Sequence, residues 1–230
     1  MIKNKIMKKA HFWKSNGVTT LIATLLGVFL ALYLNEWNAS RKLNKQMEIA
    51  TENILQEVNT NKEKLQKSVK HYEVMLETYI FFTDCLTSER SIVTSVENMS
   101  KFKTKHPGII YTIDSIKIDN GNYKYTKMNL NLGFTLEQVE LRTIAWETLK
   151  SSNINSTYSF DNLMSLQYIY KSIDAIIQMN NEIYNDAKEF AQSDVSVLKN
   201  LIFNIKMAIH YEKSIIDKCG EQYEKLKNCG

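Results

Sequence analysis

At 230 residues the chain has room for one membrane anchor and one domain large enough to bury a real core. Its formal charge of +4 does not point to nucleic acid, because the excess is local. Lys3, Lys5, Lys8, Lys9 and Lys14 lie in residues 1–16 without an acid, and the remainder is close to neutral. A basic flank of that kind suits anionic lipid, where each Lys gains roughly 1 kcal/mol. A phosphate-reading surface would use Arg forks, and the chain has only Arg41, Arg90 and Arg142.

Gly17 to Leu34, GVTTLIATLLGVFLALYL, contains no charge, Asn, Gln or Pro. About 20 residues at ~1.5 Å each match a hydrocarbon core of ~30 Å, so this stretch is expected to cross a bilayer as a helix. Phe12 and Trp13 at one end and Tyr33 and Trp37 at the other fit the interfacial preference of amphipathic rings. No small-x-small cleavage site follows, so the segment is expected to remain as an anchor. Five lysines before the span outweigh Arg41, Lys42 and Lys45 after it. That bias predicts a cytoplasmic tail over 1–16, a single pass through the inner membrane, and a periplasmic or extracellular domain. Within the span, Thr19, Ala23, Gly27 and Ala31 recur every fourth residue and offer a row where a second membrane helix could approach.

Beyond the lipid, residues 35–86 hold neither Pro nor Gly and should continue as one long stalk or bundle helix of about 75 Å. Leu43, Ile54, Leu65 and Leu76 repeat every eleven residues, with Met47, Val58, Val69 and Ile80 beside them. This 3.67-residue period predicts two rows on one face of a nearly straight helix. Residues 87–134 read as an insertion. A short helix is expected over Ser88–Phe102 on Ile92, Val96 and Met99, ended by His106-Pro107-Gly108. IIYTIDSIKI and YKYTK, flanking Asp119-Asn120-Gly121-Asn122, then predict a β-hairpin or extended excursion.

Residues 135–230 complete the bundle. Thr135-Leu-Glu-Gln138 has the form of a capping box and predicts a helix to about Ser152. A second helix carries Leu163, Leu166, Tyr170, Ile173, Ile177, Asn180, Tyr184, Ala187 and Ala191. A third, capped by Ser193-Asp194, carries Leu198, Ile202, Ile205, Ile209, Glu212, Ile216, Cys219, Tyr223 and Leu226. Their short connection makes them an antiparallel pair, and stripes this narrow suit helices packed at small, coiled-coil-like angles. The expected fold is mostly α: an N-terminal transmembrane helix continuing into a long helix, and an elongated antiparallel bundle with a small β insertion.

Two phrases carry a resemblance. LGVFLALYLNEWNASRKL, in which an apolar helix runs into Asn35-Glu36-Trp37-Asn38 and then Arg41-Lys42, resembles the signature of a group of uncharacterised bacterial single-pass envelope proteins, domain-of-unknown-function family 6090. AWETLKSSN, Ala145 to Asn153, resembles a second phrase of that group. Many of its members carry a Glu in the first half of the span, and this chain has none there. The resemblance implies topology and no activity.

Chemistry-bearing patterns are scarce. His71 and His210 fall on predicted helices, but neither follows a Glu at the spacing of di-iron bundles, while His11 and His106 lie in the tail and a loop. No His-Glu-x-x-His, Cys-x-x-Cys, Gly-x-Ser-x-Gly or phosphate-binding Gly loop occurs. Cys85, Cys219 and Cys229 are too few for a disulfide framework and too scattered for zinc, and are read as buried small hydrophobes. No catalytic residue, cofactor or metal ligand is therefore assigned. Asn180 and Glu212 interrupt apolar stripes, with Asn61 in the matching row of the first helix and the Tyr170 and Tyr184 hydroxyls near that seam. They either set helix register or line a polar pocket between helices. Two functions remain: association as a structural or accessory subunit, with the bilayer and a second copy or another membrane protein as partners, or ligand sensing through a separate membrane partner.

Overall fold

The computed structural model describes residues 16–111, 114–119, 121–126, 129–130, 140–192 and 195–228. The basic tail through residue 15 with Phe12 and Trp13, the Thr135–Gln138 box, Ser193-Asp194 and Cys229 lie outside the described residues. The chain divides into two compact units, 1–51 and 52–230. Helix α1, Asn16–Cys85, contributes to both. Its uninterrupted length follows from the sequence, which has no Pro in that range and Gly only inside the apolar stretch.

Among the described residues of the first unit, the apolar side chains of the stretch 17–34 are not buried by protein. Leu26 is 64% exposed and Phe29 67%, and no part of the apolar window is buried. Among the described residues this is the one helix long and apolar enough to cross a membrane.

The second unit is a three-helix bundle. The Glu52–Cys85 part of α1 packs with α4 (Phe160–Gln192) and α5 (Leu198–Asn228). Ser159 opens α4, its hydroxyl accepting from the Asn162 amide at 3.3 Å. A 3₁₀ turn, Val195–Val197, leads into α5. Helices α4 and α5 run antiparallel, as expected: Asn204 donates to Asp186 at 2.8 Å and Gln222 to Asn162 at 3.5 Å. Helix α1 runs antiparallel to α5, with Lys213 bonded to Glu73 at 2.8 Å and Gly220 beside Lys62. It runs parallel to α4, with Tyr72 meeting Asn180 and Tyr79 meeting Phe190.

Since α1 and α4 are parallel, the chain between them must return along the bundle. It does so through the insertion. Strands β1 (Ile92–Ser95), β4 (Asn122–Thr126) and β3 (Asp114–Lys117) form an antiparallel sheet in the order β1-β4-β3, with Ile92 opposite Tyr125 and Ser115 opposite Tyr125 from the other side. A smaller pair joins β2 (Ile110–Tyr111) to β5 (Asn129–Leu130). The expected hairpin is β3–β4, and its turn holds Gly121 at φ +104°, where an L side chain would be strained.

Helix α2 spans Val96–Lys105 and stops at His106, ahead of the single Pro. The helix expected over Ser88–Phe102 is therefore shorter at its front. Ile92 lies in a strand, because Ile-Val-Thr is β-branched and Ser95 caps α2 by accepting from the Asn98 amide at 3.2 Å. Helix α3 covers Ile144–Ser151, its end close to the expected Ser152, and residues 140–143 are not helical, whereas the expected start at Thr135 lies outside the described residues.

The core joins Tyr72, Met75, Tyr79 and Phe82 of α1 to Ile183 and Phe190 of α4, Leu198, Leu201 and Ile205 of α5, and Ile92, Phe102 and Tyr125 of the insertion. Phe81 and Phe102 stack at 4.1 Å, and Tyr79 meets Phe190 edge-on at 5.5 Å.

The seam of α1 does not follow the eleven-residue rows. Its buried run Ile54, Val58, Asn61, Leu65, Ser68, Tyr72, Met75, Tyr79 and Phe82 alternates four and three apart in a heptad pattern, with Glu57, Val69, Thr78 and Cys85 buried beside it; of the expected rows Ile54, Val58, Leu65 and Val69 are buried. Leu76 is only half-buried and Ile80 is 40% exposed. The other long helices show the same partial agreement. Leu166, Ile173 and Asn180 are buried as expected, but the companion row is Ile169, Ile176, Ile183 and Phe190, leaving Ile177 and Tyr184 exposed. In α5, Leu198, Ile205, Glu212, Cys219 and Leu226 are buried, and the companion row is Leu201, Ala208, Ile215 and Gln222.

This seam is testable by truncation. Met75→Ala should cost about 2–5 kcal/mol in denaturant unfolding of the detergent-solubilised chain, as core truncations of this size do. Ile80→Ala should cost under about 1 kcal/mol. The reverse ranking would restore the eleven-residue reading.

Candidate functional site

The heptad in α1 carries polar residues at seam positions, and a buried polar group must find a partner. Two clusters result, both within the second unit.

The first fastens residues 140–146 to α1. Asn61 Nδ2 donates to the Arg142 carbonyl at 2.7 Å, and Asn61 Oδ1 accepts from the Arg142 amide at 2.8 Å. One side chain thus satisfies both main-chain groups of one residue, as a neighbouring strand would. Lys64 Nζ donates to the Glu140 carbonyl. One turn earlier, Glu57 accepts from the Ala145 amide at 2.9 Å, the Trp146 amide at 3.3 Å and the Tyr170 hydroxyl at 2.7 Å.

Thr143, the N-cap residue of α3, makes no side-chain cap bond. A carboxylate from α1 takes its place, where both the free amides and the helix dipole favour negative charge. Trp146 then lies flat on Tyr170, ring centroids 5.2 Å apart and planes within 2°, with Lys150 Nζ 5.7 Å from the indole. Burial, then the bond to Glu57, holds the Tyr170 phenol far above its ordinary value. Tyr170 is a fixed donor here, not an acid.

The second cluster crosses all three long helices. Ser68 Oγ of α1 donates to Glu212 Oε1 of α5 at 2.9 Å. The Tyr72 hydroxyl donates to Asn180 Oδ1 of α4 at 2.6 Å. Glu212 has no exposed surface, and among the described residues its Oε2 has no hydrogen-bond partner. Burial pushes its carboxyl up to about 8, with the Ser68 bond opposing the shift. Burial, then the charge of Glu212, raises the Tyr72 phenol.

The expected polar seam is thus distributed over two layers. Asn61 and Tyr170 belong to the first, Asn180 and Glu212 to the second. Tyr184 belongs to neither. It is 47% exposed, because the seam passes through Ile183, one residue earlier. Glu57, Ser68 and Tyr72 complete the layers and were not singled out by the sequence pattern. The heptad reveals two of them, Ser68 in the row Ile54–Asn61–Ser68–Met75–Phe82 and Tyr72 in the row Val58–Leu65–Tyr72–Tyr79, whereas Glu57 lies beside both rows.

Other candidate positions are placed more simply. Thr19, Ala23, Gly27 and Ala31 are exposed on the apolar helix, and a Cβ at Gly27 would meet nothing within 4 Å. Tyr33 and Trp37 are exposed, and the Arg41 guanidinium lies 5.9 Å from the Trp37 ring. Cys85 and Cys219 are buried free thiols, raised by burial to about 12 and about 11. Neither is a nucleophile at neutral pH. His106 Nε2 lies 3.0 Å from Glu77 Oε2, and its ring packs on Phe102. Among the described residues no group of three His, Cys, Asp or Glu side chains could hold a metal ion.

The most built depression near these residues is an open groove of about 570 Å³ between α3 and α4, bordered by Trp146, Lys150, Asn155, Gln167, Lys171 and Asp174. No protein-family model, curated protein or solved structure matches this chain.

Removing the Glu57 carboxylate leaves two amides and a phenol without their acceptor. Glu57→Ala should therefore cost about 2–5 kcal/mol of stability, against about 1–2 kcal/mol for Tyr170→Phe, which removes one donor. Limited trypsin digestion gives a second readout. Cleavage after Arg142 should accelerate in Glu57→Ala at temperatures where the bundle remains folded by circular dichroism, and an unchanged rate would mean the strap is held by something else.

Proposed function

We propose that this chain is a membrane-anchored helical protein that works by association, as a structural or accessory subunit of a bacterial envelope complex. The observation that carries the reading is the helix over Gly17–Leu34, apolar throughout and buried nowhere. An apolar surface of this extent is a liability in water and finds its proper solvent in a bilayer. The lysines before it favour a cytoplasmic N-terminus. The row Thr19, Ala23, Gly27 and Ala31 gives a second membrane helix a place to approach, whether from another copy or another protein. The resemblance to family 6090 supports the same topology.

The second unit adds a reason to prefer contact over catalysis. Several of its buried polar side chains hold the helices and residues 140–146 together: Glu57 on amides, Asn61 on the main chain of Arg142, Tyr72 on Asn180. A ligand-sensing role has one specific observation behind it, the groove between α3 and α4, whose wall includes Tyr170. Its hydroxyl bonds Glu57 of α1, so a solute that moved Tyr170 would disturb the strap as well.

Carbonate washing of membranes should leave the chain in the pellet, and release into the supernatant would remove the anchor. Crosslinking in intact cells followed by mild detergent extraction should then recover a stable partner or a second copy. Gly27→Ile should weaken self-association in a membrane two-hybrid assay. An unchanged signal would take the small-residue row out of the interface. For the sensing alternative, a shift in melting temperature with a small solute, abolished by substitutions in the α3–α4 groove, would count in its favour.

A further inference from the structure

We propose that the Ser68–Glu212 contact is a pH-sensitive latch between α1 and α5: closed while the Glu212 carboxyl carries a proton, and loosened when it loses it. The geometry supplies the argument. Glu212 sits at a seam position of α5 with no exposed surface. One oxygen receives the Ser68 hydroxyl at 2.9 Å, and the other meets no hydrogen-bonding group among the described residues. A carboxylate in that place would have a single neutral donor and no cation. Buried charge so poorly met is strongly disfavoured, whereas the protonated acid is far easier to accommodate.

Among the described residues, Glu212 accepts from Ser68 and forms no ion pair. From α1 the layer receives Ser68 and Tyr72, and from α4 it receives Asn180 through its bond with Tyr72. Tyr72 is held neutral by burial and by Glu212 itself. His71, the residue before Tyr72, is half-buried, and His210 is exposed. Lys213 is exposed on the flank, where it pairs with Glu73. Ionisation therefore draws water toward Glu212, and water reaches it by parting α5 from α1 around Ser68. Ala208, four residues before Glu212, adds little side-chain volume to resist that parting.

The direction follows from linkage. An unfolded chain ionises Glu212 near the ordinary 4.5, and the folded chain only near 8. The stability contributed by the neutral carboxyl is complete in acid, erodes as pH rises from 4.5, and is gone above about 8.

The test uses the full chain in detergent micelles or nanodiscs, comparing the parent with Glu212→Gln from pH 5 to 9. The two should melt within a few degrees of each other at pH 5. By pH 9 the Gln variant should lead by at least about 5 °C, a shift well inside what a buried carboxyl can produce in a domain this size. Amide hydrogen exchange around Ala208–Ile215, corrected for its intrinsic pH dependence, should accelerate in the parent and not in the variant. Glu73→Gln, which removes the exposed partner of Lys213, should keep the parent's pH slope. Parallel melting curves for parent and Glu212→Gln would overturn the latch. Should Gln fail to fold, Glu212→Met serves the same comparison, and the infrared carbonyl band of a protonated carboxylic acid can be followed in the parent alone. Absence of that band at pH 6 would also overturn it.

Discussion

The second unit depends on one constraint: polar side chains placed in the seam of a three-helix bundle must be satisfied from another element. Asn61, Ser68, Asn180, Glu212 and Gln222 all occupy seam positions. Hydrophobic side chains tolerate sliding by a turn, since one Leu or Ile replaces another at similar cost. A bond such as Tyr72 to Asn180 does not. It is directional, and losing it leaves a buried hydroxyl and an amide oxygen unpaired. These contacts fix α1 alongside α4 in a parallel register, and α5 against both. Register is the best-attested use of polar groups in helical seams.

That parallel register has a cost in connectivity, which the insertion meets. A chain leaving α1 at Cys85 must come back to begin α4 at Phe160. The three-stranded sheet and α2 pack at the Tyr79–Phe82 end of the core, whereas residues 140–151 reach the Glu57 end. Among the described residues before Trp146, the segment 140–145 includes no buried apolar side chain. It is instead fastened through its own backbone, by Asn61, Lys64 and Glu57 in successive turns of α1. The spacing 57, 61, 64 is the helical period, so one face of α1 presents three side chains of suitable chemistry to one extended strap. Trp146 then seals it against Tyr170.

Much of this was legible in the sequence, and what was not has identifiable causes. The apolar helix, the antiparallel α4–α5 pair and the β3–β4 hairpin each rest on local signals: composition, a short connection, a Gly-containing turn. The seam required a longer pattern. One heptad row per helix was recovered in α4 and α5, because Leu166, Ile173, Leu198 and Ile205 are apolar and buried. The companion rows were displaced by one residue, because Ala208 and Gln222 look less like core than Ile209 and Tyr223, and Ile177 looks as apolar as Ile176. In α1 the polar Asn61 and Ser68 hid the heptad; the eleven-residue rows coincide with it at Ile54, Val58 and Leu65 and part from it by Leu76 and Ile80. The start of α3 at Ile144 could not have been found locally at all. Its N-terminus is met by Glu57, nearly ninety residues earlier.

Glu57 and Glu212 show how far environment decides the part that one residue type plays. Both are buried carboxyls and both accept from a hydroxyl, Tyr170 in one case and Ser68 in the other. Glu57 also faces two backbone amides at the start of a helix, which supply further donors and a favourable dipole. Among the described residues Glu212 has no hydrogen-bond partner beyond its serine. The first is therefore a fastener whose bonds are all made. The second is a group left under-satisfied in an otherwise closed interior. A bundle that needed only cohesion would be better served by Leu at position 212, since replacing a buried polar group with an apolar one of similar size is commonly neutral or stabilising. Burial of an acid with one donor is the ground on which the proposed latch between α5 and α1 rests.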